Sequence, residues 1–239
     1  MSTPGGGRTY DDPRDSPVGH VTGVVYWYAA LTILLALAAA PALVALMLLE
    51  RTTSNAPLAV LCLLPVGPAL SAALFALQNR KRTDGLTPAR SFVRGYRLNA
   101  VDVLRLWAPA LVGLAVIALT VVNIDQAAVP DGYAGVLLVI GLLVVLWAVN
   151  VLVIASLFAF RSRDVARLAA YYLGRLPLVT LGMASLLVLA AGVVYVTFDA
   201  VLVLLGAVWA SLVLRNARPL VRDVRTRFTS DTRNERRGR

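Results

Sequence analysis

Side chains able to do chemistry are sparse in this 239-residue chain, and they are scattered. Asn99, Asp102 and Arg105 stand together at the start of an apolar run, where the last two have the i, i+3 spacing of a helical ion pair near an interface. Asn150 is the most deeply placed strongly polar residue of any apolar run, and an amide there serves an interhelical hydrogen bond or a substrate contact. Cys62 is the only cysteine and His20 the only histidine, so counting excludes an intrachain disulfide, a multi-cysteine metal site and a histidine cluster. There is no Walker-type glycine loop, no HExxH, GxSxG or CxxC pattern, and no carboxylate pair inside an apolar run. We therefore expect a non-enzymatic protein with no catalytic set, no cofactor and no metal. Proton- or ion-coupled transport also relies on buried ionisable groups, which the apolar runs do not supply.

The remaining polar chemistry is cationic. Pro88 follows Thr87, a favoured arrangement of cap and first helical residue. Ala89, Phe92, Val93 and Tyr96 then fall at i, i+3, i+4 and i+7, with Arg90, Arg94 and Arg97 on another face. This pattern suits a short amphipathic helix in the headgroup region of a membrane, anchored on anionic lipid or docking a cytoplasmic partner. Phe92, Tyr96, Arg90, Arg94, Arg97 and Asn99 are the candidate residues for either role. Just upstream, Pro65, Gly67 and Pro68 interrupt an apolar run that carries small residues four apart: Gly67 and Ser71, Ala69 and Ala73, Ala72 and Ala76. Small residues at that spacing let a second helix approach closely. Pro65, Gly67, Pro68, Ser71 and Ala72 thus mark a kinked packing helix or a broken helix lining a substrate site.

These residues are positioned by a membrane-type chain. With 59% hydrophobic residues and a mean hydropathy of +0.74, it departs from the composition of soluble domains. Runs of about 20 apolar residues match the thickness of a bilayer, and helices satisfy their own backbones there. The expected fold is all-α, a polytopic bundle of about six transmembrane helices with short amphipathic cytoplasmic helices. Spans are predicted at 21–49 (uncleaved, with Tyr26, Trp27 and Tyr28 as interface anchors), 57–77, 101–122, 133–160, 176–197 and 200–214. Residues 1–20, rich in Gly, Pro and charge, read as a disordered tail. Residues 21–215 form the transmembrane domain, and 216–239 an Arg-rich C-terminal tail.

Basic residues set the orientation. Arg80, Lys81, Arg82, Arg90, Arg94 and Arg97 lie between spans two and three, Arg161, Arg163, Arg167 and Arg175 between four and five, and further Arg residues beyond Arg215. The connections around Asp125 and Asp199 have no Lys or Arg, and the first carries only Arg51. Positive charge stays inside, so both termini are expected in the cytoplasm of a multi-pass cell-membrane protein. The formal charge of +10 has the same origin. Nucleic-acid binding is not expected, because the C-terminal Arg run has only Phe228 as aromatic company. Lys81 is the only lysine, an Arg bias that points to a GC-rich bacterial genome. Ala89-Arg90 and Ala166-Arg167 occupy similar places in the two strongly basic connections, as a weak internal repeat would place them.

Gly67-Pro68-Ala69 with Ala72-Ala73-Leu74, then Phe92, Gly95-Tyr96 and Asn99, and later LFAFRSRDVARLAAYYLGRLPLVTL, resemble the YesL-like bacterial integral membrane proteins, a family defined as a domain of unknown function. The likeness covers about residues 20–220. It implies an accessory role beside a carbohydrate-uptake system, with membrane lipids and sugar-transporter components as partners. Asp84-Gly85, Thr87-Pro88 and Phe92 also look like the second half of the coupling loop of binding-protein-dependent importer permeases. The Glu-Ala-Ala half of that loop is missing, since Asn79 to Thr83 reads NRKRT. That likeness implies a permease subunit or small transporter with a degenerate ATPase-docking helix.

Overall fold

The computed structural model describes residues 17–50, 52–80, 88–124, 130, 132–196 and 205–228, and every regular element among them is helical. Helix α1 (Pro17–Leu48) is followed by a 3-10 turn (Thr53–Asn55), α2 (Ala56–Cys62) and α3 (Val66–Asn79). Then come α4 (Pro88–Val122), α5 (Tyr133–Leu157), α6 (Ser162–Arg175), α7 (Pro177–Val196), α8 (Gly206–Asn216) and α9 (Arg218–Phe228). Residues 1–16 of the expected N-terminal tail, Thr87, the Asp84-Gly85 pair, and the acidic positions Asp125, Asp131 and Asp199 lie outside the described residues. Helix α1 already begins at Pro17, inside the stretch expected to be a tail.

Three of these helices, α1, α4 and α5, are long and apolar enough to cross a membrane unbroken. Two further pairs qualify together but are bent: α2 and α3 by 44°, α6 and α7 by 98°. Helix α8 has 11 residues, which is about 16 Å of helix and roughly half the hydrocarbon thickness. The preceding residues 197–204 lie outside the described residues.

The packing of α1 shows how such a chain is solvated. Its sequence is apolar all round, yet the bundle buries one stripe, Trp27, Leu31, Leu35, Ala39 and Ala42, at helical spacing. The opposite face leaves Tyr26, Ile33, Leu37, Val44 and Met47 exposed. The first half of α5 does the same with Val136, Leu138, Val139 and Ile140. Continuous exposed apolar faces of this extent mark surfaces that meet a membrane or a protein partner.

Helix α3 is the centre of the bundle. It packs most extensively on α4 and also touches α1, α5 and α8. Its small residues Ala69, Ala72, Ala73 and Ala76 are all buried, which is what lets several helices crowd around it.

Two sequence expectations are corrected here. The amphipathic segment from Pro88 does not end before the third span: α4 is one 35-residue helix. At about 52 Å it exceeds the hydrocarbon core by roughly 20 Å. Nor is the Arg-rich segment simply a tail, because residues 218–228 form α9, whose Leu220, Val221 and Val224 join the same hydrophobic core as α1 and α3. Its Arg218, Arg222 and Arg225 remain exposed, and residues 229–239 lie outside the described residues.

Candidate functional site

The basic stretches converge on one end of the bundle, and named contacts bring them there. The Arg80 guanidinium, just beyond α3, lies 5.1 Å from the centre of the Trp27 ring and 5.4 Å from that of Tyr28 near the start of α1. Phe75 near the end of α3 seats on Gly95 near the start of α4, where an added methyl would lie 2.7 Å from its ring. The Asn99 amide donates to the Ser156 carbonyl (3.3 Å), tying the start of α4 to the end of α5. Asn216 donates to the Val179 carbonyl (2.8 Å), tying the end of α8 to the start of α7. The Trp147 indole donates to Ala166 O at 3.0 Å and the Tyr172 hydroxyl to Asp223 at 2.8 Å, fixing α6 to α5 and to α9.

Within this end, the candidate residues separate into two groups. Arg90, Arg94 and Arg97 are exposed, and Tyr96 is at the edge of exposure with its ring stacked on Phe92 at 6.5 Å. Phe92, by contrast, is 4% exposed, so it is a packing residue and not a surface for a partner or for lipid. Asn99 is half-buried and spent on Ser156. The buried stripe of α4 is Pro88, Phe92, Gly95 and Val103, with Ala89 and Val93 left exposed. It is turned about a quarter of a revolution from the stripe that apolarity alone predicts, at about 100° per residue. Hydrophobicity ranks Gly95 and Asn99 as poor core residues. A glycine that admits an aromatic ring and an amide that finds a carbonyl reverse that ranking. Trp27 likewise departs from expectation: it is 3% exposed and stacked under Arg80, not an interface anchor.

The break in span two falls at Leu63–Pro65, between α2 and α3. Pro65, half-buried, precedes the first residue of α3, and Gly67 and Pro68 are buried in its first turn. Trp107 of α4 fills the break. Its indole donates to the Leu63 carbonyl at 3.1 Å, and its ring covers Gly67 so closely that an added methyl would sit 2.6 Å away. Aromatic and glycine thus alternate between the antiparallel partners: Phe75 of α3 on Gly95 of α4, Trp107 of α4 on Gly67 of α3. The packing-kink reading explains these contacts. Ala72 is wholly buried in the same interface.

Ser71 forms a polar link from α3 to α5. Its hydroxyl and that of Ser156 are 2.8 Å apart, and both are buried. Ser156 also reaches the Leu152 carbonyl, which can only accept. The Ser156 hydroxyl thus lies within reach of both the Ser71 hydroxyl and the Leu152 carbonyl. Beside this network a cleft of about 280 Å³ opens between α4 and the α5–α6 link, lined by Asn99, Asp102, Ser156, Phe158 and Phe160. Asp102 is paired with Arg105 at 3.3 Å, and both are well exposed.

Asn150 is 2% exposed, about 10 Å of helix from the end of α5. Its Oδ1 has no hydrogen-bond partner among the described residues. An orphaned buried amide oxygen costs about 1–3 kcal/mol. Cys62 is half-buried and free, and no group of three or more His, Cys, Asp or Glu residues that could hold a metal occurs among the described residues.

Sequence reasoning missed Trp107 and Tyr172, whose polar atoms make the helix-to-helix contacts. Their only advance signal was an aromatic with a polar tip inside an apolar or amphipathic run. Compared with known proteins, the chain matches no family model, no curated protein and no solved structure.

Proposed function

We propose that the chain is a non-enzymatic, six-span protein of a bacterial cell membrane, acting as an accessory or assembly factor for a carbohydrate-uptake system. In this reading α1, α2 with α3, α4, α5, α7 and the segment ending in α8 are the spans. The basic end faces the cytoplasm with both termini, and α6 and α9 lie along the headgroups with their arginines outward. The uptake system enters through the YesL-like residues, Gly67-Pro68-Ala69, Ala72-Ala73-Leu74, Phe92, Gly95-Tyr96 and Asn99.

The observation that carries the accessory role is the Trp107 plug. A discontinuous span serves transport when its broken backbone lines a cavity. Here the break is closed by the Val66 N–H, which donates to the Leu63 carbonyl, and is occupied by the Trp107 indole, which donates to the same oxygen. Such a span braces a partner or a neighbouring span and offers no path through itself. The test is affinity capture from native membranes after mild cross-linking, with identification of what comes down. Permease or ATPase components of a sugar importer are expected, and their absence from repeated captures would end this reading.

The orphaned Asn150 Oδ1 favours a second reading, a permease subunit or small transporter in which that oxygen meets a substrate hydroxyl. Purified protein in liposomes, alone or with a neighbouring ATPase, would then move sugar, and the accessory reading predicts no flux.

A further inference from the structure

Between α1 and the start of α4 runs a groove of about 710 Å³, walled by Tyr26, Ala30 and Ile33 on one side and by Pro88, Ala89 and Arg90 on the other. Its α1 wall is mostly apolar over about 10 Å of helix from Tyr26 to Ile33. Its α4 wall carries the Arg90 guanidinium, with exposed Arg94 one turn further along the helix. Among the described residues no acidic side chain lines the groove and none pairs with Arg90. The Tyr26-Trp27-Tyr28 cluster, with Arg80 stacked on the last two rings, sits near the start of α1. Of these rings Tyr26 is exposed, and an exposed tyrosine beside arginines suits the level where headgroups meet hydrocarbon.

We propose that this groove is a binding site for one anionic phospholipid, with an acyl chain lying against Ala30 and Ile33 and the phosphate paired to Arg90. Apolar walls with one guanidinium suit an occupant that has both apolar surface and an anionic group, and a lipid of the surrounding bilayer has both. Arginine suits the task because its planar fork pairs two phosphate oxygens at once. This assignment rests on the membrane reading of the fold and is independent of the uptake system.

Native mass spectrometry of the full chain in mild detergent tests it, with phosphatidylglycerol and phosphatidylethanolamine as the added lipids. The wild type is expected to retain phosphatidylglycerol in preference to phosphatidylethanolamine. Arg90→Gln should lower the phosphatidylglycerol adduct about fivefold and leave the phosphatidylethanolamine adduct unchanged. Ala30→Trp, which fills the groove from its α1 wall, should lower both. Arg163→Gln, on α6 away from the groove lining, should lower neither. Equal retention of the two lipids, or an Arg90→Gln spectrum identical to that of Arg163→Gln, would overturn the site. So would a dimer that Ala30→Trp dissociates, since a second copy would then cover the groove. A chain that stays soluble without detergent would instead overturn the membrane reading beneath it.

Discussion

The two strongly basic connections share an Ala-Arg pair, yet they fold differently. Ala89-Arg90 lies in the first turn of α4, which runs on unbroken into the next span. Ala166-Arg167 lies in α6, which ends at Arg175, and α7 departs from it at 98°. One proline accounts for the difference. Leu176, restricted by Pro177, takes φ −120° and ψ 72°, outside the helical region, and Pro177 then opens α7. The Thr180 hydroxyl donates to the Leu173 carbonyl at 2.9 Å across the corner. Between Pro88 and Pro109 the sequence has no proline, so the backbone passes through Asn99 and Ala100 as helix. The residue at the junction decides whether the helix runs on into the next segment or ends in a sharp bend.

The comparison can be broken most severely at Gly95, which seats the unbroken connection against Phe75. Gly95→Leu should cost about 1–3 kcal/mol by overpacking, read as a lower unfolding temperature in detergent. Phe75→Ala in the same chain should recover part of that loss. An unchanged unfolding temperature in Gly95→Leu would mean that the start of α4 is not held by α3 at all. On the bent connection the matching anchor is Tyr172, buried and bonded to Asp223 of α9. Tyr172→Phe should lose about 1 kcal/mol and expose α9 to trypsin several times faster. Equal cleavage rates would show that apolar contacts alone hold α9.

Smaller effects sharpen the account. Pro177→Ala should destabilise by less than about 1 kcal/mol, because it mainly frees the unfolded chain. It should also broaden the distance distribution between spin labels on α6 and α7. A distribution as narrow as the wild type would assign the corner to packing. Asn150→Leu, on the helix that touches both connections, should be neutral or stabilising by up to about 1 kcal/mol, since it removes an orphaned oxygen. A loss of stability there would reveal a partner for Asn150.

Much of this organisation is legible in the sequence. Apolar runs foretell the C-terminal ends of α1, α4 and α5 to within three residues, and miss the start of α4, because its first turns are amphipathic and not apolar. The Pro65–Pro68 cluster foretells the break between α2 and α3, and the Asp102–Arg105 pair forms as its spacing predicts. What fills the break is not legible, since Trp107 lies 44 residues away and nothing local ties it to Leu63. The burial of Phe92 and Gly95 follows from a knob on another helix, which amphipathicity does not see. Helix α9 could have been found: Ala217, Leu220, Val221 and Val224 stand at i, i+3, i+4 and i+7 amid the arginines. Net charge hid that stripe. No side chain in the sequence announces the lipid groove either, because its walls belong to two helices distant in the chain.

The central proposal is that the basic segments among the described residues, which lie at one end of the bundle, face the cytoplasm. Single cysteines placed at Thr53, Ser91 and Ser162 in a Cys62→Ser background, probed in intact cells with a membrane-impermeant maleimide, test it most directly. Thr53→Cys should react from outside, while Ser91→Cys and Ser162→Cys should react only after the membrane is opened. Labelling of Ser91→Cys or Ser162→Cys in sealed cells would contradict the account.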